Sequence, residues 1–166
     1  GGSVDMLTPI WLGAEDSLSV SATHGELSVG PMSSQGTFRL PLGKHSLLLL
    51  SARAAYLNLL YSKWLEVDGD EVKYDFSDYN LSYITQLDDA NVLKIEGYWG
   101  YDNMKIGQAS HGLQGKLKWD NTMAALHWYS RSKETSSEEK GDWAMEQMVY
   151  YYRYANRLNI DEYSFQ

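Results

Sequence analysis

The chain has 166 residues and a formal net charge of −8, which suits one domain or one piece of a larger one. So acidic a chain offers no basic face to neutralise phosphates, which argues against nucleic-acid binding. With no cysteine, it has neither a disulfide framework nor a thiolate metal site.

Aromatic residues are mostly tyrosine (13) and tryptophan (6), with 3 phenylalanines. Tyr and Trp suit boundaries between water and an apolar phase, where the ring is buried and the polar tip stays hydrated. No apolar run reaches the ~18 residues of a membrane helix. The mean hydropathy resembles that of a soluble protein, as does that of a membrane β-barrel, in which every second residue faces a polar lumen. No signal peptide is evident, and the start at Gly1-Gly2-Ser3 reads as a mature chain or one cut from something longer.

In chain order, Ser3 to Thr8 alternates weakly and closes at Pro9, predicting a short strand. From Ser17, Leu18, Val20 and Ala22 oppose Ser17, Ser19, Ser21 and Thr23. Gly25 shifts the phase, as at a bulge, before Leu27 and Val29 continue the strand. Residues 30–36 read as a loop. Thr37 to Leu60 centres on Gly43-Lys44-His45, a tight-turn signal because glycine supplies positive φ. Beyond it, Leu48, Leu50, Ala52, Ala54 and Tyr56 alternate with Leu47, Leu49, Ser51, Arg53 and Ala55. Leu47, Leu50, Ala54, Leu57 and Trp64 also fit helical spacing, and so short a run cannot be assigned by periodicity alone.

The neighbouring segments favour a strand. Tyr79, Leu81, Tyr83, Thr85 and Leu87 oppose Asn80, Ser82 and Gln86. Leu93, Ile95, Gly97, Trp99 and Tyr101 oppose Lys94, Glu96 and Tyr98. Leu113, Gly115, Leu117 and Trp119 alternate with Gln114, Lys116 and Lys118, and Ala124, Leu126 and Trp128 face away from Ala125 and His127. A last run, Trp143 to Asn156, sets Met148, Tyr150, Tyr152 and Tyr154 against Gln147, Tyr151 and Arg153, and blurs beyond.

Short turns are expected at 43–45, 88–91 and 120–122, and long polar loops at 61–73, 102–110 and 131–142. This alternation predicts an all-β, antiparallel, up-and-down transmembrane β-barrel, with tight turns at one end, long loops at the other and strands of ~10 residues crossing the bilayer. Here it would be a partial barrel of seven or eight strands. The expected lipid-facing set is Leu81, Tyr83, Leu93, Ile95, Leu117, Trp119, Leu126 and Trp128. The expected lumen-facing set is Arg53, Asn80, Gln86, Lys94, Glu96, Gln114, Lys116 and Lys118.

No nucleophile elbow, Walker loop, HExxH or dinucleotide fingerprint is present, so no catalytic residue, cofactor or enzymatic activity is expected. His24, His45, His111 and His127 stand singly and read as surface or lumen imidazoles, not metal ligands. Asp68-Gly69-Asp70-Glu71 lacks the order of a calcium loop and reads as a solvated acidic loop. Arg53, amid an apolar strand, reads as half of an ion pair with an inward carboxylate; the alternative is a lumen charge touching a plug or substrate. The substrate-binding residues themselves stay unassigned.

Several stretches resemble the start of the barrel in TonB-dependent outer-membrane receptors, above all the SusC-like kind of Bacteroidetes. GGSVDMLT is similar to the strand ending the family's plug domain, and LSVSATHGELSVGPMSSQGTFRLPLG to its first barrel hairpin. Ser51, Arg53, Tyr56, Leu59 and Leu60 take the places of the family's S-x-R-x-x-Y-x-x-L-L strand, and residues 74–102 resemble the following hairpin. The resemblance implies that residues 1–12 end a plug domain or linker and that 13–166 are the N-terminal part of a barrel of ~22 strands in the bacterial outer membrane. It also implies nutrient import, of an oligosaccharide, peptide or similar. The implied partners are TonB (through plug parts outside this sequence), a SusD-like surface lipoprotein and outer-membrane lipid. Two other readings suit the pattern: a self-contained eight-strand membrane barrel with a structural or adhesive role, and a soluble all-β carbohydrate-binding module.

Overall fold

The computed structural model describes residues 22–56, 66–67, 70–108, 113–132 and 143–162. Their regular structure is all β: β1 (His24–Val29), β2 (Ser33–Pro41), β3 (Ser46–Ala55), β4 (Glu66–Val67), β5 (Asp70–Asp88), β6 (Asn91–Gln108), β7 (Leu113–Arg131) and β8 (Ala144–Glu162). One sheet holds them in the order β1-β2-β3-β5-β6-β7-β8, with β4 paired to β5. All pairings are antiparallel, so the chain is an up-and-down meander. Among the described residues β1 and β8 do not meet, and the sheet is open.

The Thr37–Leu60 window resolves as strand in its described part. Gly43 takes φ 91° in the turn, a conformation that only glycine adopts freely, and the Leu42 N–H donates to the Ser46 carbonyl at 2.9 Å. The other tight turn, at Asp89 and Ala90, is organised by Asp88, whose Oδ1 accepts the Ala90 N–H at 2.7 Å and the Asn91 amide at 2.9 Å. The candidate strand at 3–8, the start of the next at 17–21, residues 57–65, Asp68, Gly69 and His111 lie outside the described residues.

Several expected boundaries are overturned. No turn interrupts β7 at 120–122: Asp120, Asn121 and Thr122 pair with Tyr101, Gly100 and Trp99 on one side and Ala155, Tyr154 and Arg153 on the other. β6 runs on to Gln108 through the expected loop at 102–110, β5 begins at Asp70 inside the expected 61–73 loop, and β8 continues to Glu162. Long strands of 18 or 19 residues replace the expected ~10. The polar composition that reads as loop is carried by residues in an unbroken ladder, and at 102–108 and 120–122 pairing on both sides overrides local propensity. Gly36 likewise lies within β2, and Gly25 sits in unbroken register opposite Phe38, whose ring would lie 3.0 Å from any added Cβ. That close approach, not a bulge, explains the glycine.

The short–long alternation also fails. The β7–β8 connection leaves from the end bearing the two tight turns: the Arg131 N–H donates to the Ala90 carbonyl at 2.9 Å, and the Ser132 N–H to the Trp143 carbonyl at 2.8 Å.

Because side chains alternate across a sheet, the unbroken register assigns two faces. One carries Arg53, Asp78, Gly100 and Asn121 and holds Leu47 (1 % exposed), Ile84 (1 %), Val92 (0 %) and Ala125 (7 %). We call it the sheltered face. The other, open face presents the exposed apolar side chains of β1 to β7: Leu27, Val29, Phe38, Tyr79, Leu81, Ile95, Trp99, Leu126 and Trp128. Ile106, on the sheltered face, is the exception there, and on β8, at the sheet edge, both faces are exposed.

Candidate functional site

The open face divides along the strands. Opposed residues make apolar rows: Phe38–Leu50–Leu81–Gly97–Ala124–Tyr151, then Leu40–Leu48–Tyr83–Ile95–Leu126–Val149, then Thr85–Leu93–Trp128 toward the tight turns. A Cβ added at Gly97, in the middle of this surface, would meet no described atom within 4 Å. Aromatic rings border the rows. Tyr79 and Trp99, cross-strand partners, stack at 5.2 Å, and Tyr101 follows Trp99 at 6.5 Å. At the opposite border the Trp128 indole N–H donates to Asn91 Oδ1 at 3.0 Å. From Tyr79 to Leu87 the strand rises about 27 Å along its axis, or about 21 Å in height at a tilt of ~40°.

Beyond Tyr79, Trp99 and Tyr101 the same face turns polar and charged: Asp75–Asn103–Lys118–Arg157, then Lys73–Lys105–Lys116–Asn159. Lys116 and Lys118 therefore do not share a face with Arg53, Asn80, Gln86, Lys94 and Glu96, which lie together on the sheltered side. Only the backbone of Gln114 is described, and it takes the parity of Lys116. Leu117 and Trp119, expected beside Leu126 and Trp128, fall on the sheltered face, opposite Met104 and Asp102. The absent turn is the cause. A segment read as two strands on either side of a turn has its phase set independently in each half, whereas one continuous strand carries a single phase.

The sheltered face is tied together by two polar networks. In the first, Arg53 donates to Asp78 Oδ2 from Nη2 at 2.6 Å and from Nε at 3.1 Å, with its guanidinium 4.8 Å from the Phe76 ring centre. The Tyr98 hydroxyl donates to Asp78 Oδ1 at 3.0 Å. Tyr98 lies across Gly100, where an added Cβ would come within 2.9 Å of the phenol Cζ. Arg53 thus makes the ion pair favoured from sequence; with its side chain 52 % exposed, the pair is worth at most about 1 kcal/mol. Beside it the Tyr74 hydroxyl donates to Asp102 Oδ1 at 2.7 Å, and burial first, then this hydrogen bond and charge, pushes the phenol up to about 12.

The second network spans β6, β7 and β8. Lys94 meets Glu96 at 2.8 Å, Glu96 Oε2 meets His127 Nε2 at 3.0 Å, and His127 Nδ1 meets Glu146 Oε1 at 3.0 Å. Tyr129 stacks on the His127 ring at 5.9 Å and 3°. His127 is not a solitary imidazole but a clamp across three strands. Two carboxylates on opposite ring nitrogens hold an imidazole in place, and they do not converge on a common point as metal ligands do. Among the described residues no group of histidine and carboxylate side chains could hold a metal.

Asp78 and Glu146 were not singled out from sequence, Tyr98 was only placed on a face, and His127 was read as a solitary imidazole. Asp78 shares the parity of Asn80 and could have been placed. The pairing of His127 with β8 depends on a register that no local pattern reveals.

The described residues thus form a two-faced sheet, apolar and aromatic-bordered on one side and polar-networked on the other. The chain matches no family model, no curated protein and no solved structure.

Proposed function

We propose that the chain is part of the wall of an outer-membrane transporter of the TonB-dependent, SusC-like kind, which imports a nutrient such as an oligosaccharide or peptide. What carries the membrane part of this reading is the exposed band of apolar rows on the open face, bordered by aromatic rings and about as tall as the ~25 Å apolar belt of outer-membrane barrels. A water-soluble protein rarely leaves so large an apolar patch uncovered. The import part rests on the sequence resemblance. The sheltered face, with Arg53, Asn80, Gln86, Lys94 and Glu96, is then the lumen wall, and the edges at β1 and β8 continue into further strands of a wider barrel. The long strands carry the wall well past the bilayer on the side away from the tight turns. TonB acting through a plug, and a SusD-like lipoprotein at the surface, are the partners of such a receptor.

Two experiments test this reading. Fractionation of cells expressing the protein is expected to place it in the outer membrane, and recovery in the soluble fraction would contradict the membrane reading. Loss of the gene or of TonB is expected to abolish growth on the imported oligosaccharide or peptide; growth unaffected by either contradicts the transporter reading while leaving the membrane wall intact.

A further inference from the structure

Past the Tyr79–Trp99–Tyr101 border the two faces exchange character. The open face there is mixed in charge, as a wet surface is: Lys105 and Lys116 stand opposite one another, with Glu71 and Asp161 in the next row by register. The sheltered face, polar behind the apolar band, becomes apolar. Phe76, Asp102 and Trp119 form its first row past the border, and Met104, Leu117 and Leu158 belong to the second. Ile106 and Ile160 follow on either side of Gly115, where an added Cβ would meet only the Ile106 carbonyl oxygen, at 3.9 Å. Ile106 is 45 % exposed, Leu158 63 % and Ile160 62 %, which leaves the patch open among the described residues. Its charge is of one sign. Asp102 lies between Phe76 and Trp119, Asp70 and Glu162 take the last row by register, and no lysine or arginine falls at a described position of this face past the border. Arg53, the neighbouring cation, is held by Asp78 at 2.6 Å. Among the described residues Asp102 makes no ion pair, and its Oδ1 accepts only the Tyr74 hydroxyl, at 2.7 Å.

We infer that this surface takes part of the imported substrate, and that the substrate is a peptide carrying apolar and basic side chains. The proposal rests on the import reading and narrows its substrate. A wall that met only water would be polar, as the lumen of a porin is. Aliphatic side chains offer no hydrogen bonds to the hydroxyls of an oligosaccharide, and a hydroxyl pressed unpaired against them costs free energy. An extended peptide suits the same surface, with its apolar side chains on the apolar rows and its basic ones matched in charge by Asp102 and the acidic last row. The aromatic neighbours of Asp102 in its row add attraction for an ammonium or guanidinium group. From the row of Phe76 to that of Asp70 the face runs about 20 Å, the length of about six extended residues.

The test uses the protein extracted from membranes in a neutral detergent. Partition into the detergent phase is read first; a protein that stays in water overturns the membrane reading and the proposal with it. Fluorescence polarisation then measures the binding of four labelled hexamers: alternating leucine–lysine, leucine–glutamate and serine–lysine peptides, and a neutral glucose oligosaccharide. The leucine–lysine peptide is expected to bind about fivefold tighter than leucine–glutamate and about tenfold tighter than serine–lysine. Salt should narrow the first ratio and leave the second. Asp102→Asn, which keeps an acceptor for Tyr74, should weaken leucine–lysine binding about threefold. The double variant Ile106→Gln, Leu158→Gln should weaken it about tenfold, once its β signal and detergent partition are shown to be unchanged. Equal binding of the leucine–lysine and leucine–glutamate peptides, tighter binding of the oligosaccharide, no binding of any probe, or unchanged affinity in the variants overturns the proposal. Each of these leaves the TonB-dependent growth test of import standing. Should the double variant not fold, the single Ile106→Gln, with a loss of about threefold, is the substitute.

Discussion

At the scale of single residues, the sheltered face depends on side chains that cross strands. Gly100 leaves room for the Tyr98 ring, which in turn holds Asp78 against Arg53. Gly100→Ala is expected to destabilise by about 1–2 kcal/mol, the scale of a displaced hydrogen bond to a charged group. Most of that cost should vanish in a Tyr98→Ala background, because the two side chains compete for one space. Additive losses in chemical denaturation of the four-protein cycle would show that the ring does not fill that space. Tyr74, beyond the Tyr79–Trp99–Tyr101 border, offers a spectroscopic handle. Its phenol is pushed up to about 12, so the folded state holds the proton more tightly than the unfolded chain, where phenols titrate near 10. Its contribution to stability is therefore fully present below pH ~10 and lost as the pH climbs from ~10 to ~12. The phenolate absorbance difference between the protein and Tyr74→Phe should rise with a midpoint near 12; a midpoint near 10 would mean that Tyr74 is neither buried nor bonded to Asp102.

At the scale of elements, β5, β6 and β7 carry two properties in series on one face: an apolar stretch, then a charged one. Leu81→Arg or Ile95→Arg, in the middle of the open face, is expected to cost ~2–4 kcal/mol in a membrane-inserted barrel, and Asn80→Arg on the sheltered face far less. Equal costs in refolding titrations would contradict the two-faced reading. How far such strands could be read from sequence follows from the same residues. The alternation from Tyr79 to Leu87 and from Leu93 to Tyr101 was legible because each apolar run is long, regular and ends at the turn set by Asp88. Lys116 and Lys118 were not legible. Their alternation with Leu117 and Trp119 is clean, but a charged residue above a bilayer and a charged residue inside a lumen show the same period of two. Asp120-Asn121-Thr122 has turn composition, yet its backbone groups are taken by β6 and β8.

At the scale of the molecule, the sheet ends in two unequal edges. The described part of β1 has 6 residues and β8 has 19. Among the described residues each leaves N–H and C=O groups without a strand partner, which water tolerates but hydrocarbon penalises by several kcal/mol per group. In detergent-free buffer the isolated chain is therefore expected to associate through β8, as read by light scattering; a stable monomer would favour a soluble module. The central claim is that the open face between Tyr79 and Leu87 lies in lipid. The most direct measurement places a nitroxide at each position from 73 to 87 of the membrane-inserted protein and compares its accessibility to oxygen, which concentrates in hydrocarbon, with that to a water-soluble nickel chelate. The account predicts a period of two, with 79, 81, 83, 85 and 87 favouring oxygen and the even positions favouring nickel. At 73 and 75 the odd positions should turn to nickel, because there the same face has left the bilayer. Nickel accessibility at every position, or an oxygen signal running unbroken from 87 down to 73, would contradict it.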